Sequence, residues 1–388
     1  MKKLLVLFLI FILGSSCSKE WLDERSNKGQ TTPSNLDDLQ QILNNADILN
    51  GINTGMSLVE LLESGTDDHI LSQYLYDILA PYQPDVFNAY IFAPDIFSGK
   101  TDMDVWNIPY QRVYIANVVL DKLKELTTQD MISYNRIKGE ALFHRVNSFY
   151  WLSQTYMEAY DATNAKTKPG VPVRLVADPN AKTRRSTMEE TYAQMIADAK
   201  ESLQNCPVTA TNPFHPSAAA AAGLLARIYL SMQDYPNALH YADTALEMKN
   251  ELMDFNTLDT SAYNPIPQYN KEIIWSDVTP STVFNPAFNT VDTLLFNTYA
   301  SNDLRTYVYF KNRTDDLHAF NGNYSGSESL FAGIATDELW LIRAECEARQ
   351  NEVNLAMSDL NHLLVNRFSM GTFIPLAALD APDALRKV

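Results

Sequence analysis

The chain has 388 residues, a formal net charge of −17 and an aromatic content of 11%, with tyrosine the commonest aromatic residue. This length allows one large domain or two or three smaller ones, and no basic stripe offsets the acidic charge, which argues against nucleic acid as a partner. The three cysteines are too few for a disulfide framework, and no two of them lie at the spacing of zinc ligands. We predict that Cys206 and Cys346 are buried thiols.

The N-terminal segment predicts export and lipid attachment. Two lysines precede an apolar run over 4–13, which is too short to span a bilayer. Small residues then lead into Cys17, as in a bacterial lipoprotein signal. An ordinary secretory signal is the alternative, but the only early cysteine falls where acylation requires it. We therefore assign 1–16 to a lipoprotein signal peptide and the polar, turn-rich stretch 17–35 to a lipid-anchored tether.

The next part of the chain mixes helical periodicity with irregular, aromatic-rich sequence. Apolar residues at helical spacing predict three helices, over 36–46, 104–126 and 131–160. We predict that the last two helices pack together as a helical hairpin. Residues 47–103 are less regular, apart from a helix at about 69–79. Asp67 and Asp68 would either cap a helix or hold calcium, and we favour capping.

Two hairpins with matching spacing predict a stacked helical scaffold. In the stretch 217–248, Pro236 falls in the first turn of the second helix, where no backbone N–H is needed. Ala226 and Ala238 are small enough to let the two helices approach, at the spacing of a tetratricopeptide repeat. The same spacing recurs in 336–367. One hairpin cannot bury its apolar face alone, so two of them imply a stacked array.

Two further local patterns lie around these hairpins. Thr187 and Glu190 predict a capping box that opens a helix over 188–204. In 249–333, proline, Asn, Asp, Ser and aromatic residues replace the alanine–leucine periodicity, with possible short strands at 271–276, 294–299 and 306–310. This stretch is too long for a linker, and long loops on a rigid frame commonly carry binding sites.

Six segments of the chain match, in the same order, the sequence motifs of one protein family. They lie at 17–23, 106–117, 139–145 with 170–173, 217–248, 271–276 and 338–367. The third contains Glu140-Ala-Leu-Phe-His-Arg145, which is similar to an A-E-A-L-F-x-R motif. Taken together behind a lipoprotein signal, the six segments resemble the RagB/SusD nutrient-binding lipoproteins of Gram-negative outer membranes.

The resemblance implies a mainly α fold. One SusD-like domain would cover 36–388, with a tetratricopeptide-like helical hairpin scaffold and a loop-rich, aromatic-rich insertion carrying short strands. The scaffold would occupy about 104–248 and 334–368, and the ligand-side regions about 47–103 and 249–333. Family members usually continue with further packed segments after this point, so we expect the last hairpin to lack its usual outer cover.

The resemblance also implies a function. The protein would be lipid-anchored in the outer membrane and exposed on the cell surface. It would bind an oligosaccharide, or in some members a peptide, and deliver it to a SusC-like TonB-dependent transporter. The resemblance implies no catalysis, no cofactor and no metal.

Sugar binding requires flat aromatic faces for the sugar ring, with Asn, Asp or Arg beside them for the hydroxyls. Residues of both kinds in 65–106 and 275–331 give the candidate ligand-binding residues Asp67, Asp68, Tyr74, Trp106, Trp275, Phe284, Asn285, Asn321 and Tyr324. The family pattern places the segments of Asp68 and Trp106 near the ligand, whereas the others rest on composition. Packing in the core is the alternative for Trp106 and Trp275.

Two rival classes of function stay open at this point. A glycan-cleaving enzyme would need paired carboxylates, whose separation is spatial and invisible in a sequence. The chain has no H-E-x-x-H, G-x-S-x-G or G-x-x-x-x-G-K motif. A helical-repeat scaffold that binds partner proteins is the second rival, and the long aromatic insertion argues against it.

Overall fold

The computed structural model describes residues 33–52, 58–98, 104–313 and 317–388. Cys17 and the predicted signal peptide lie outside these residues. The described part contains fifteen α-helices and eight short strands, which confirms the mainly α fold. Within the same ranges, no helix has the length and apolar character needed to cross a membrane.

The helices are, in chain order, α1 (Leu36–Leu43), α2 (Ala46–Leu49), α3 (Leu58–Ser64), α4 (Gln73–Leu79), α5 (Pro84–Tyr90), α6 (Asp104–Glu125), α7 (Met131–Tyr156), α8 (Met188–Asn205), α9 (Ala218–Ser231), α10 (Tyr235–Met248), α11 (Thr293–Phe296), α12 (Arg305–Val308), α13 (Thr336–Arg349), α14 (Val353–Leu364) and α15 (Ala381–Lys387). The strands are β1 (His69–Ile70), β2 (Ile273–Trp275), β3 (Val278–Thr279), β4 (Thr290–Val291), β5 (Phe310–Asn312), β6 (His318–Phe320), β7 (Leu330–Phe331) and β8 (Ile334–Ala335).

The scaffold is a row of antiparallel helices in which each one packs on the next. Helices α6 and α7 form one hairpin, α9 and α10 a second, and α13 and α14 a third, while α8 bridges the first two and α10 packs on α13. Both hairpins predicted from the alanine spacing are therefore confirmed. Ala226 and Ala238 are fully buried between α9 and α10, which lets the backbones come close.

Local caps explain where the scaffold helices begin. The predicted capping box is confirmed: Thr187 accepts the backbone N–H of Glu190, and Glu190 accepts that of Thr187. Ser217 caps α9 and Asp234 caps α10, with Pro236 in its first turn. Each cap satisfies backbone donors that the first helical turn leaves unpaired.

A buried ion pair joins three scaffold helices. Arg145, on α7, donates Nε and Nη2 to the two carboxylate oxygens of Asp198 on α8, both at 2.8 Å. Its Nη1 donates to Oδ1 of Asn117 on α6, also at 2.8 Å. The arginine of the family motif therefore fixes the relative position of α6, α7 and α8.

The strands form four separate antiparallel pairs: β1 with β4, β2 with β8, β3 with β7, and β5 with β6. The strand predicted at 271–276 is confirmed as β2. The predicted strand at 294–299 is wrong: this stretch begins in α11, which Asp292 caps through the backbone N–H of Leu294. The strand predicted at 306–310 is wrong over most of its length, because α12 occupies it and β5 starts only at Phe310.

The C-terminal helix α15 covers part of the last hairpin. Ala384 on α15 is fully buried in a cluster with Ala348 of α13 and Ala356 of α14. Helix α15 therefore covers part of the outer face of this hairpin. Leu379, just before α15, is 96% exposed. The thiols of Cys206 and Cys346 are buried, as predicted.

Candidate functional site

A cavity of about 380 Å³ opens where the segment after α3 meets the insertion. Its wall combines many aromatic and aliphatic side chains with two carboxylates, one histidine and two asparagines. The residues are Val59, Glu63, Asp68, His69, Ile266, Phe284, Asn289, Val291, Leu295, Tyr299, Tyr309, Phe310, Phe320, Gly322, Asn323, Tyr324, Leu330 and Phe331. We call this space the aromatic cavity.

Short strand pairs hold the wall in place. His69 on β1 lies opposite Val291 on β4, and the backbone N–H of Asp292 donates to the carbonyl of Asp68 at 2.9 Å. On the other side, Phe310 of β5 pairs with Phe320 of β6. Directly paired residues project to the same face of a sheet, so this register brings both rings to the cavity.

Asn289 joins these two parts of the wall. Its Nδ2 donates to the carbonyls of Phe284 and Phe320 at 2.9 and 3.0 Å, and its Oδ1 accepts the backbone N–H of Phe320 at 2.6 Å. The side chain is fully buried. Because its amide is used for these bonds, we assign Asn289 a structural role in the wall.

The polar groups at the other edge of the cavity are two carboxylates and a histidine. Desolvation and the nearby charge of Asp68 raise the pKa of Glu63. His69 is 6% exposed, its ring centroid lies 4.7 Å from that of Phe284, and burial lowers its pKa to about 4. Its two ring nitrogens have no hydrogen-bond partner among the described residues. His69 is therefore neutral at pH 7.

A buried charged group fixes Tyr324 at the cavity wall. The Tyr324 hydroxyl lies 2.5 Å from Oε2 of Glu272 and 2.6 Å from Oδ2 of Asp337. Arg367 pairs with the other oxygen of Glu272 at 2.7 Å. Burial and the Glu272 carboxylate raise the pKa of Asp337 to about 6. A hydroxyl donates one proton, so a proton on Asp337 would allow both short contacts.

Three predicted ligand residues from separate segments meet at the aromatic cavity: Asp68, Phe284 and Tyr324. Two more are nearby in sequence but engaged elsewhere. Asn285 donates to Glu328 at 2.6 Å, and Asn321 is buried and donates to the carbonyl of Tyr263 at 2.5 Å.

The other four predicted residues do not line this cavity. Asp67 is exposed and Tyr74 is 72% exposed on α4. Neither Asp67 nor Asp68 caps α4, because Ser72 is the N-cap of that helix. Trp106 lies in a different cleft of about 350 Å³, next to Tyr110, with their ring centroids 4.9 Å apart.

Trp275 lies in the core instead of at a ligand surface. It is fully buried, its Nε1 donates to the carbonyl of Phe214 at 3.2 Å, and its ring meets that of Phe143 edge-on at 4.7 Å. The pairing of β2 with β8 against α9 places it there. We therefore remove Trp275 from the set of candidate ligand residues.

The sequence reasoning missed several wall residues, including His69, Tyr299, Phe310 and Phe320. The sequence gives little signal for them, because neither Phe310-Lys-Asn312 nor His318-Ala-Phe320 alternates apolar and polar residues as a half-buried strand does. Within the described residues, no group of three or more His, Cys, Asp or Glu side chains is arranged to hold a metal ion.

Comparison with known proteins identifies the family. A profile of the SusD-like family, described as starch-binding and associating with the outer membrane, matches residues 20–230, more than half of the chain. No curated protein sequence matches.

Solved structures share the fold. A SusD superfamily protein from Bacteroides vulgatus is 16% identical with a TM-score of 0.73, covering 92% of this chain and 84% of that one. One from Bacteroides fragilis is 20% identical with a TM-score of 0.71, covering 92% and 86%. A laminarin-binding SusD-like protein is 14% identical with a TM-score of 0.64, covering 87% of each chain. The family match and the shared helical fold agree, and the chain belongs to the SusD-like family.

Proposed function

We propose that this protein is a cell-surface lipoprotein that binds an oligosaccharide in the aromatic cavity and delivers it to a partner TonB-dependent transporter. It performs no chemistry on the glycan. The observation that carries the proposal is the cavity itself, where Asp68, Phe284 and Tyr324 converge from distant parts of the sequence. Its volume of about 380 Å³ falls in the range of small-molecule sites, roughly 300–1,000 Å³.

The composition of the wall suits a sugar. The C–H faces of a pyranose are apolar and pack on aromatic rings, while its hydroxyls need nearby acceptors or donors. Tyr299, Phe310 and Phe331 supply rings, and the Glu63 and Asp68 carboxylates supply acceptors at the edge. The family description as starch-binding and the laminarin-binding relative support a glycan over a peptide.

Attachment and transport form the second part of the proposal. The lipid anchor at Cys17 and residence at the outer-membrane surface rest on the lipoprotein signal, and the family description as associating with the outer membrane supports them. Delivery to a transporter rests on the resemblance alone. Co-purification of a large β-barrel with the protein extracted from its native membrane tests this part.

The glycan part is tested by calorimetric titration of the purified protein with neutral oligosaccharides of glucose, xylose and mannose. Tyr299→Ala should weaken binding about fivefold or more, since truncating an aromatic side chain that anchors a ligand costs about 1 kcal/mol or more. Tyr74→Ala is the matched control, because it removes the same ring from an exposed position away from the cavity wall.

Three results would count against the proposal. Equal losses in both tyrosine variants, or no binding to any glycan, would remove the cavity as the glycan site. Release of new reducing ends during incubation would instead indicate the glycan-cleaving enzyme.

A further inference from the structure

The charged side chains in the wall of the aromatic cavity are both acidic. Glu63 and Asp68 are acidic wall residues, and the described wall contains no lysine or arginine. His69 adds no charge at pH 7, because burial holds its pKa near 4. Behind Tyr324 lie the carboxyl groups of Glu272 and Asp337, with one arginine, Arg367, paired to Glu272.

The cationic side chains in this neighbourhood are engaged with other groups. Arg305 lies 5.1 Å from the ring of Tyr299, but its guanidinium pairs with Asp303 at 2.6 Å. The ammonium of Lys311 packs over the ring of Tyr263, at 3.1 Å from its centroid, and Lys311 lines a different cavity.

Arg313 and Arg227 are two further cations beside the cavity. Arg313 donates to the carbonyl of Asn289 at 3.1 Å and does not line the aromatic cavity. Arg227 lines an adjoining cleft together with Glu63 and Tyr324, and its guanidinium pairs with both carboxylate oxygens of Glu338, at 2.7 and 2.6 Å. The arginines beside the cavity are thus paired with carboxylate or carbonyl oxygens, whereas Lys311 packs on an aromatic ring.

We propose that the aromatic cavity selects uncharged glycans and rejects acidic ones such as uronate or sulfated oligosaccharides. This inference rests on the proposed function and names its substrate class. A glycan carboxylate placed against the wall would meet Glu63 and Asp68 without a paired cation, and the apolar rings around it would weaken its hydration. An uncharged sugar donates its hydroxyl protons to the same carboxylates.

The two carboxylates are the positions at which this selectivity can be removed. Among the described residues, neither the Glu63 nor the Asp68 side chain makes an ion pair or a hydrogen bond. Only their backbone carbonyls accept hydrogen bonds, from Thr66 and Asp292. The double substitution Glu63→Gln with Asp68→Asn therefore keeps shape and folding contacts while removing two charges.

The experiment compares dissociation constants by calorimetry for two sets of probes. Maltohexaose, laminarihexaose and xylohexaose are neutral, whereas hexagalacturonate and a heparin-derived hexasaccharide are acidic. The parent protein should bind at least one neutral probe, and every acidic probe at least about tenfold more weakly. The measured quantity is the ratio of the dissociation constant of an acidic probe to that of the neutral probe. The double variant should reduce this ratio by about tenfold, and added NaCl should reduce it in the parent protein.

Asp67→Asn is the matched control, because it removes one charge beside Asp68 from a residue outside the cavity wall. It should leave the ratio within about twofold, since Asp67 does not line the cavity and the repulsion between two charges falls with their separation. Acidic probes that bind as tightly as neutral ones, or a ratio that Asp67→Asn changes as much as the double variant does, would overturn the selectivity while leaving glycan binding intact. Failure of all probes would overturn the proposed function and the selectivity with it.

Discussion

Replacing Arg145 by methionine tests whether the buried ion pair holds the scaffold together. The substitution keeps most of the side-chain volume but removes all three hydrogen bonds from the guanidinium to Asp198 and Asn117. The side chains of Arg145 and Asp198 are only 8% and 5% exposed, so water cannot replace the lost partner. Asp198 would keep one hydrogen bond, from Gln194 at 2.8 Å.

The expected loss of stability is about 3–5 kcal/mol, the usual effect of removing one partner from a buried pair. The loss comes chiefly from an uncompensated carboxylate in the core. Replacing both partners, as in Arg145→Met with Asp198→Leu, should recover at least about half of it, because no buried charge is then left.

The loss should also depend on pH. Burial already raises the pKa of Asp198 in the folded protein, and loss of the arginine should raise it further. A carboxyl group whose pKa is higher in the folded than in the unfolded protein stabilises the fold at a pH below its unfolded pKa. That contribution is lost as the pH rises through the folded pKa. The deficit of the Arg145→Met variant should therefore be smaller at about pH 4.5 than at about pH 7.

Urea unfolding followed by tryptophan fluorescence measures these differences. Arg184→Met is the control, because it breaks a bidentate pair with Glu190 that is exposed at the surface, at 71% and 43% side-chain exposure, and it should change the midpoint little. Equal shifts in the two single variants, or a double variant no more stable than Arg145→Met, would refute the assignment of the loss to the buried charge.

Three further predictions follow from single positions. Gly51→Ala should cost at least about 1 kcal/mol of unfolding free energy, because Gly51 has φ of 72° and an added Cβ would lie 2.0 Å from the carbonyl oxygen of Val278; an unchanged urea midpoint contradicts this. The His215 ring donates a hydrogen bond to the Glu140 carboxylate, which raises the pKa of His215. The pair therefore stabilises the fold fully below the pKa of an unfolded histidine, and this contribution is lost as the pH rises through the folded pKa. The stability lost in His215→Asn should then be larger at about pH 6 than at about pH 8.5, and a deficit that does not change with pH refutes it. Cys17→Ala should release the protein from membranes into the soluble fraction, whereas continued membrane retention argues against acylation.

Local sequence signals predicted the scaffold well because they act over a few residues. A capping box needs only Thr187 and Glu190 at the right spacing, and a close helical hairpin needs alanines such as Ala226 and Ala238. Both depend on helix geometry, which repeats every 3.6 residues whatever the remainder of the chain does.

The secondary structure of the insertion was harder to predict from the sequence, because its short elements depend on distant pairing partners. A strand of two or three residues has almost no periodicity of its own, and it exists because another segment pairs with it, as β2 does with β8. The stretch 294–299 has the composition of a strand, yet the side chain of Asp292 caps a turn of helix there.

By itself, the sequence determined the helical scaffold, its caps and its repeated hairpins, because those features arise from neighbouring residues. Only the tertiary structure decided which aromatic side chains face a cavity. Trp275 and Tyr324 look alike as candidates in the sequence, but strand pairing buries one in the core and a hydrogen bond to Glu272 holds the other at the cavity wall. Burial of an aromatic ring is favourable in either place, so the choice between them depends on contacts from distant parts of the chain.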